Sequence, residues 1–253
     1  MSTAVTTARM ADVSPRSRAR ITGVVYLLFF LTAILGEVFL RQTELSGIQS
    51  GVSGDAAATA NNLLAHEASF RVGWALGLIS TACYVAVVGL FYRSFKPVSR
   101  SLALLAAFFG LMGCAITAFG SLFQLAPLIV LGSSPYLSAF NVEQVQALAL
   151  LLLKLHAQVG NIALVFFGLF QLLIGYLIVR STFLPRVLGA LMALAGVGWL
   201  TFLWPPLANS LLTYLEVLGF LGEVPLMLWL LVMGVNAQRW KEQDNTAGAS
   251  AGK

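Results

Sequence analysis

An all-α polytopic membrane protein with six transmembrane helices and both termini in the cytoplasm is the fold this sequence predicts. Three observations carry that expectation. First, 58% of the 253 residues are apolar and only 10% are charged, with a mean hydropathy of +0.86. A soluble domain carries about 25% charged residues, so there is too little charge here to clothe a water-facing surface. Second, apolar runs recur near the ~20 residues that cross a ~30 Å hydrocarbon core at 1.5 Å per residue. Third, Lys and Arg collect in alternate connecting segments, the pattern that sets membrane orientation. The net charge of +5 would suit nucleic acid only as a patch on one folded face; no nucleic-acid partner is expected, and the bilayer is the expected one.

Residues 1–20, rich in Ser, Thr and Ala with Arg9, Arg16, Arg18 and Arg20, read as a disordered cytoplasmic tail. The apolar run 21–40 exceeds a signal-peptide core and has no clear small-residue cleavage site, so it reads as an uncleaved first span. Further spans are expected at about 71–92, 101–124, 157–179, 187–204 and 211–235. They complete a membrane domain over 21–240, and a second disordered cytoplasmic tail follows at 241–253. Helices are required because unpaired backbone groups in lipid cost several kcal/mol each, and the alternating strands of a barrel are absent. Pro205-Pro206 closes the short fifth span.

With the N-terminus inside, the segments on the non-cytoplasmic side hold only Arg41, Arg71 and Lys154 of the 15 basic residues. The inside segments hold the other twelve, so the positive-inside rule gives one consistent N-in/C-in answer. Trp74 and Trp204 fall at outer boundaries, and Tyr92 and Trp240 at inner ones, as an aromatic belt requires.

Two outside segments are long, and each is expected to hold a short interfacial helix. In 41–70, Asp55 precedes an Ala/Leu-rich stretch as an acidic cap. In 125–156, Asn141-Val-Glu-Gln144 has the form of a capping box. A helix running from there to Val179 would be nearly 60 Å long, so a break is expected at Lys154 to Gly160. There is also an internal echo: Val72-Gly73 recurs as Val159-Gly160 and Arg93-Ser94 as Arg180-Ser181, both 87 residues apart. If it reflects duplication, the unit is a two-span hairpin repeated in parallel.

Ionisable residues inside a span cost ~2.5–3.5 kcal/mol for Asp, Lys or Arg at mid-helix on insertion scales. Glu223, Glu37, Glu216 and His156 are the candidate functional residues. Glu37 and Glu216 lie near the outer ends of the first and last spans and are within snorkelling reach of water. Glu223 lies near the middle of the last span, too deep for that. Pro225 follows it and frees the Leu221 carbonyl. Glu216 and Glu223, seven residues apart, share one helix face about 10 Å apart along the axis, and that face is expected to point into the bundle. Leu35-Gly36-Glu37-Val38 echoes Leu221-Gly222-Glu223-Val224, and such glycines allow neighbouring helices to approach closely. Gln171 reads as an interhelical hydrogen-bonding group.

Most other polar groups also lie toward the outside: His66, Arg71, Gln124, Lys154, His156, Gln158 and Asn161. Together with the acids they describe a polar vestibule. His66 and His156 are weak candidate metal ligands, without an HExxH motif or a His pair at i, i+4. Cys83 and Cys114 read as small apolar residues within spans. No cofactor is implied: there is no catalytic triad, phosphate-binding loop or dinucleotide fingerprint.

Gly175-Tyr-Leu-Ile-Val-Arg-Ser-Thr-Phe-Leu-Pro-Arg-Val-Leu-Gly189, with Gly222-Glu223 followed by Leu226-Met-Leu-Trp-Leu-Leu-Val-Met-Gly-Val235, resembles a bacterial membrane family, domain of unknown function 4386. The resemblance covers about residues 16–240. It implies several membrane helices, places the chain in the bacterial cytoplasmic (inner) membrane, and implies no activity. Three readings of function follow. One is the handling of a small solute, proton or lipid through an outward-facing polar pocket, with a protonatable Glu223 as the natural coupling group. The others are a membrane-embedded metal-dependent enzyme using His66 and His156 with a Glu, and a non-catalytic accessory or sensor protein. A homo-oligomer is compatible with each.

Overall fold

A computed structural model describes residues 14–41, 55–132 and 139–251 of the chain. Residues 1–13 of the expected N-terminal tail, the linkers 42–54 and 133–138, and residues 252–253 lie outside the described residues. The described residues form eight α-helices and no strand: α1 Pro15–Arg41, α2 Ala56–Ala65, α3 Glu67–Phe95, α4 Arg100–Leu131, α5 Val142–Arg180, α6 Arg186–Leu200, α7 Pro205–Val232 and α8 Ala237–Ala251. Six of them are long and apolar enough to cross a membrane, α6 being extended by a 3₁₀ turn at Thr201–Leu203. The molecule is a multi-pass membrane protein. Its outer surface is apolar, with Phe108, Phe119, Leu122 and Val232 all exposed, as a lipid-solvated bundle requires.

Local chemistry explains where the helices begin and end. Helix α1 starts at Pro15, six residues before the expected boundary, because Ser14 accepts a hydrogen bond from Ser17 N at 3.2 Å and Pro15 takes the first helical position. Asp55 caps α2 by accepting from Ala57 N at 2.9 Å. Helix α4 continues through Pro127 to Leu131, beyond the expected end at 124. Pro205 opens α7 six residues earlier than expected. Gly234, at φ 70°, follows its last turn and donates to the Trp229 carbonyl at 3.0 Å, a left-handed cap that suits glycine.

Two expectations need correction. Helix α5 does not break at Lys154 to Gly160; it runs unbroken for 39 residues, and the capping box at Asn141 and Gln144 is its own N-terminus. Among the described residues of the second long segment, no helix separate from α4 and α5 forms. The overhang is supported because Leu153 on α5 meets Leu63 of α2, Phe70 of α3 and Leu128 of α4 in a buried apolar cluster. The segment from 241 is not a disordered tail through Ala251. Asn236 Oδ1 accepts from Arg239 N at 3.1 Å, the Trp240 indole donates to the Ser94 carbonyl at 3.0 Å, and Gln243 accepts from the Thr182 hydroxyl at 3.1 Å. The first bond caps α8, and the other two dock it across the ends of the spans.

The spans close a ring in chain order, α1 against α3, then α4, α5, α6 and α7, with α7 returning to α1. Small residues allow the closest approaches. A Cβ at Gly175 would lie 2.5 Å from Ala193 N and one at Gly189 2.6 Å from Gly175 O; one at Gly196 would lie 2.6 Å from Leu172 N and one at Gly168 2.9 Å from Gly196 O. The seven-residue spacing on both helices matches these contacts in antiparallel register. Helices α1 and α7 do meet, but through Gly23, whose Cβ would lie 2.5 Å from Leu231 N. Gly36 packs on α3 and Gly222 on α6 instead, so the Leu-Gly-Glu-Val echo does not make that contact. The echoed Gly73 and Gly160 also differ, since Gly73 abuts Leu40 whereas Gly160 faces open space.

A leucine at Gly196 must push two backbones apart, and overpacking typically costs 1–3 kcal/mol. Gly196→Leu is expected at the upper end, about 3 kcal/mol. Gly89→Leu, where an added Cβ meets nothing within 4 Å, is expected to stay within about 0.5 kcal/mol of wild type. Equilibrium unfolding in mixed detergent micelles measures both.

Candidate functional site

The ring is filled at one end and hollow at the other. Toward the termini, Tyr26, Phe91, Phe95, Phe170 and Phe183 form a continuous aromatic core. Tyr26 meets Phe91 edge-on at 5.8 Å between centroids, and Phe95 stacks on Phe183 at 6.0 Å. In the other half lies a cavity of ≈ 800 Å³. Its lining runs from Phe29 to Arg41 on α1, Gly73 to Tyr84 on α3, Cys114 to Gln124 on α4, His156 to Gln171 on α5 and Glu216 to Glu223 on α7, with Trp199 from α6. All six spans contribute.

Glu223 sits at the deep end and is buried at 9% exposure. Its Oε1 accepts from the Tyr84 hydroxyl at 3.2 Å and from the Gln171 amide nitrogen. Tyr26 lies against the same carboxylate. Four spans therefore converge on one acid, and none of these three neighbours carries a positive charge. Interhelical hydrogen bonds of this kind replace the water that lipid excludes.

The other three candidates line the same cavity. Glu216 stands seven residues before Glu223 on α7. Glu37 is paired at the rim with Arg41 at 3.4 Å, and both side chains are well exposed. His156 is half-buried, with Nδ1 2.9 Å from the Gly120 carbonyl; that contact binds α5 to α4 and occupies one ring nitrogen.

The expected vestibule is only partly assembled. Gln124 lines the cavity, but His66, Arg71, Lys154, Gln158 and Asn161 do not. His66 is exposed, with Nδ1 3.1 Å from the Asn62 carbonyl, and Arg71 pairs with Glu67 at 2.7 Å. His66 does not line the cavity that His156 lines, and among the described residues no three His, Cys, Asp or Glu side chains could hold a metal ion. Trp74, expected at the headgroup boundary, also faces the cavity, where its indole donates to the Ser121 carbonyl at 3.0 Å.

Residues 21–234 match the family model described as Domain of unknown function (DUF4386). The chain belongs to this family. The matched region of this DUF4386 chain includes every residue that lines the cavity. An uncharacterized protein of Archaeoglobus fulgidus is 27% identical over 108 residues, which cover 40% of this chain and 65% of that protein. The match thus spans less than two thirds of the relative's own length. No solved structure matches.

Within this DUF4386 chain, the residues that the sequence reading missed are Tyr26 and Tyr84. Each is a tyrosine deep in an apolar span, and a buried tyrosine hydroxyl usually needs a partner. That was the available signal. Gln171, read as an interhelical hydrogen-bonding group, bonds to Glu223 across from α5.

Interhelical side-chain hydrogen bonds in membranes average about 0.6 kcal/mol. Tyr84→Phe should therefore cost about that much, and Glu223→Gln, which keeps an acceptor oxygen, about 1 kcal/mol or less. Glu223→Leu strands the Gln171 amide and the Tyr84 hydroxyl together and should cost about 1–3 kcal/mol. Unfolding in detergent ranks the three variants.

Proposed function

We propose that this protein handles a small solute. The solute enters the cavity from the non-cytoplasmic face and is recognised at its inner end by Glu223. One observation carries the reading: a carboxylate without a cationic neighbour stands at the floor of a cavity large enough for a ligand. Ligand sites are commonly concave and mainly apolar, about 300–1,000 Å³ in volume, with a few placed polar groups. An intramembrane acid facing such a space is a functional site by default, because a purely structural role could be filled by cheaper groups.

The distribution of basic residues supports the orientation. The ends near both termini carry Arg16, Arg18, Arg20, Arg93, Lys96, Arg180 and Arg186, whereas Arg41 stands at the cavity rim. On this reading the aromatic core and α8 seal the cytoplasmic side, and the ligand exchanges on the other. Glu216, midway along the wall, adds negative potential on the route to Glu223.

The orientation is tested by cysteine labelling in a Cys83→Ala/Cys114→Ala background. A membrane-impermeant maleimide applied to intact cells should label Gln124→Cys and leave Lys96→Cys unlabelled until the membrane is opened. The reverse pattern would overturn the orientation.

The solute is tested by mass spectrometry of small molecules released from purified protein. Gly77 lines the cavity, and a Cβ there meets nothing within 4 Å, so Gly77→Trp starts a large side chain in open space; thermal unfolding checks that the variant is folded. Wild type should carry an enriched species that Gly77→Trp and Glu223→Gln lack. A wild-type profile indistinguishable from that of Gly77→Trp would overturn the reading.

A further inference from the structure

The chemistry of the cavity narrows the class of solute. We propose that it is a protonated lipophilic amine, its ammonium group seated between the Glu223 carboxylate and the Gln171 amide oxygen and its apolar body lying along the aromatic wall. This inference rests on the solute-handling reading above and goes further by naming the ligand chemistry.

Charge is the first argument. The acids lining the cavity are Glu37, Glu216 and Glu223, and its arginine, Arg41, is already paired with Glu37 at the rim. The cavity therefore presents Glu223 at its deep end and the exposed Glu216 nearer its mouth, with no lining Lys or Arg left to balance them. Charges interact more strongly in a poorly polarisable interior than in water. An anionic solute is repelled there, and a cationic one is drawn in.

An unsatisfied acceptor is the second argument, independent of the first. Gln171 is buried at 2% exposure and lines the cavity. Its amide nitrogen is committed to Glu223, yet its Oε1 has no hydrogen-bond partner among the described residues. Buried acceptors without a donor are rare and costly. A turn of the amide toward the cavity brings this closed oxygen to a ligand's N–H groups while the ligand's charge meets Glu223. An ammonium group supplies both N–H and charge, whereas a cation without N–H supplies only the charge.

The aromatic wall is the third argument. Phe29 of α1, Tyr84 of α3 and Phe167 of α5 form a continuous run, with centroids 4.7 Å apart for Phe29 and Tyr84 and 5.2 Å apart for Tyr84 and Phe167. Tyr84 is also the residue whose hydroxyl donates to Glu223, so the rings begin where the carboxylate ends. Aromatic faces attract cations within about 6 Å, more so when desolvated, and they shelter an apolar body. Phe30 and Phe220, 5.9 Å apart, bring a further aromatic surface from α1 and α7.

The test uses three matched probes: 4-phenylbutylamine, 4-phenylbutyrate and 4-phenylbutanol. Calorimetry is run with the full-length protein in phosphatidylcholine nanodiscs at neutral pH, and the heat from empty nanodiscs is subtracted. The amine should bind wild type at least tenfold more tightly than the alcohol, and the carboxylate should show no binding. Glu223→Gln should weaken the amine at least tenfold, Gln171→Leu should weaken it as well, and Gly77→Trp should abolish it. Thermal unfolding establishes that each variant is folded. Equal binding of amine and carboxylate, no amine binding by wild type, or unchanged amine affinity in a folded Glu223→Gln protein would each overturn the proposal.

The two levels fail separately. If Gly77→Trp loses a co-purified species that proves neutral or anionic, the solute-handling reading stands and the amine assignment falls. If Gly77→Trp retains whatever wild type carries, the solute-handling reading itself falls.

Discussion

The carboxylate of Glu223, held by the Tyr84 hydroxyl and the Gln171 amide, is the interaction on which the interior of this bundle depends. Lipid supplies no hydrogen bonds, so an acid at mid-span must find its partners on other helices. Here the partners come from α3 and α5, with Tyr26 of α1 against the same group. One side chain thereby draws four spans toward a common point. It also marks the boundary between two regimes of the interior, with aromatic rings filling the ring of helices on one side and open space on the other.

A hollow half is tolerable because the tight contacts lie elsewhere. Between α5 and α6, the pairs Gly175/Gly189 and Gly168/Gly196 bring backbones into direct contact. In lipid there is little hydrophobic gain from bringing apolar helices together, so such close van der Waals approach is a main source of cohesion. The ring is closed by Gly23 against Leu231, where α1 meets α7 near the termini. Cohesion is thus concentrated on the flank formed by α5 and α6 and at the filled end. The walls around the cavity are joined by longer-range contacts, among them the Trp74 indole on the Ser121 carbonyl and His156 on the Gly120 carbonyl.

The same economy explains the long helices. Helix α5 exceeds the ~20 residues a bilayer needs, yet it does not break, because Leu153 finds apolar partners on α2, α3 and α4. At the opposite end α8 is ordered by bonds to Ser94, Thr182 and Phe183. Both departures from the sequence reading have one cause. Local composition at Lys154 to Gly160 and beyond 241 is too polar for a span, and only tertiary partners make helix the favoured state there.

The sequence by itself determined the number of spans, their approximate places and the depth of Glu223. Each of these is a local property: a run of apolar residues partitions into lipid whatever its neighbours do. The caps at Asp55 and Asn141 were legible for the same reason, since their bonds close within three residues. Tertiary structure alone decided which polar groups meet. Tyr26, Tyr84, Gln171 and Glu223 are scattered over nearly the whole chain, and no periodicity along it records that the helices close in chain order. It also decided that Glu37, Glu216 and His156 line one space while His66 does not. Adjacency across a bundle depends on where small residues let backbones approach, and that is a property of pairs of helices rather than of any one of them.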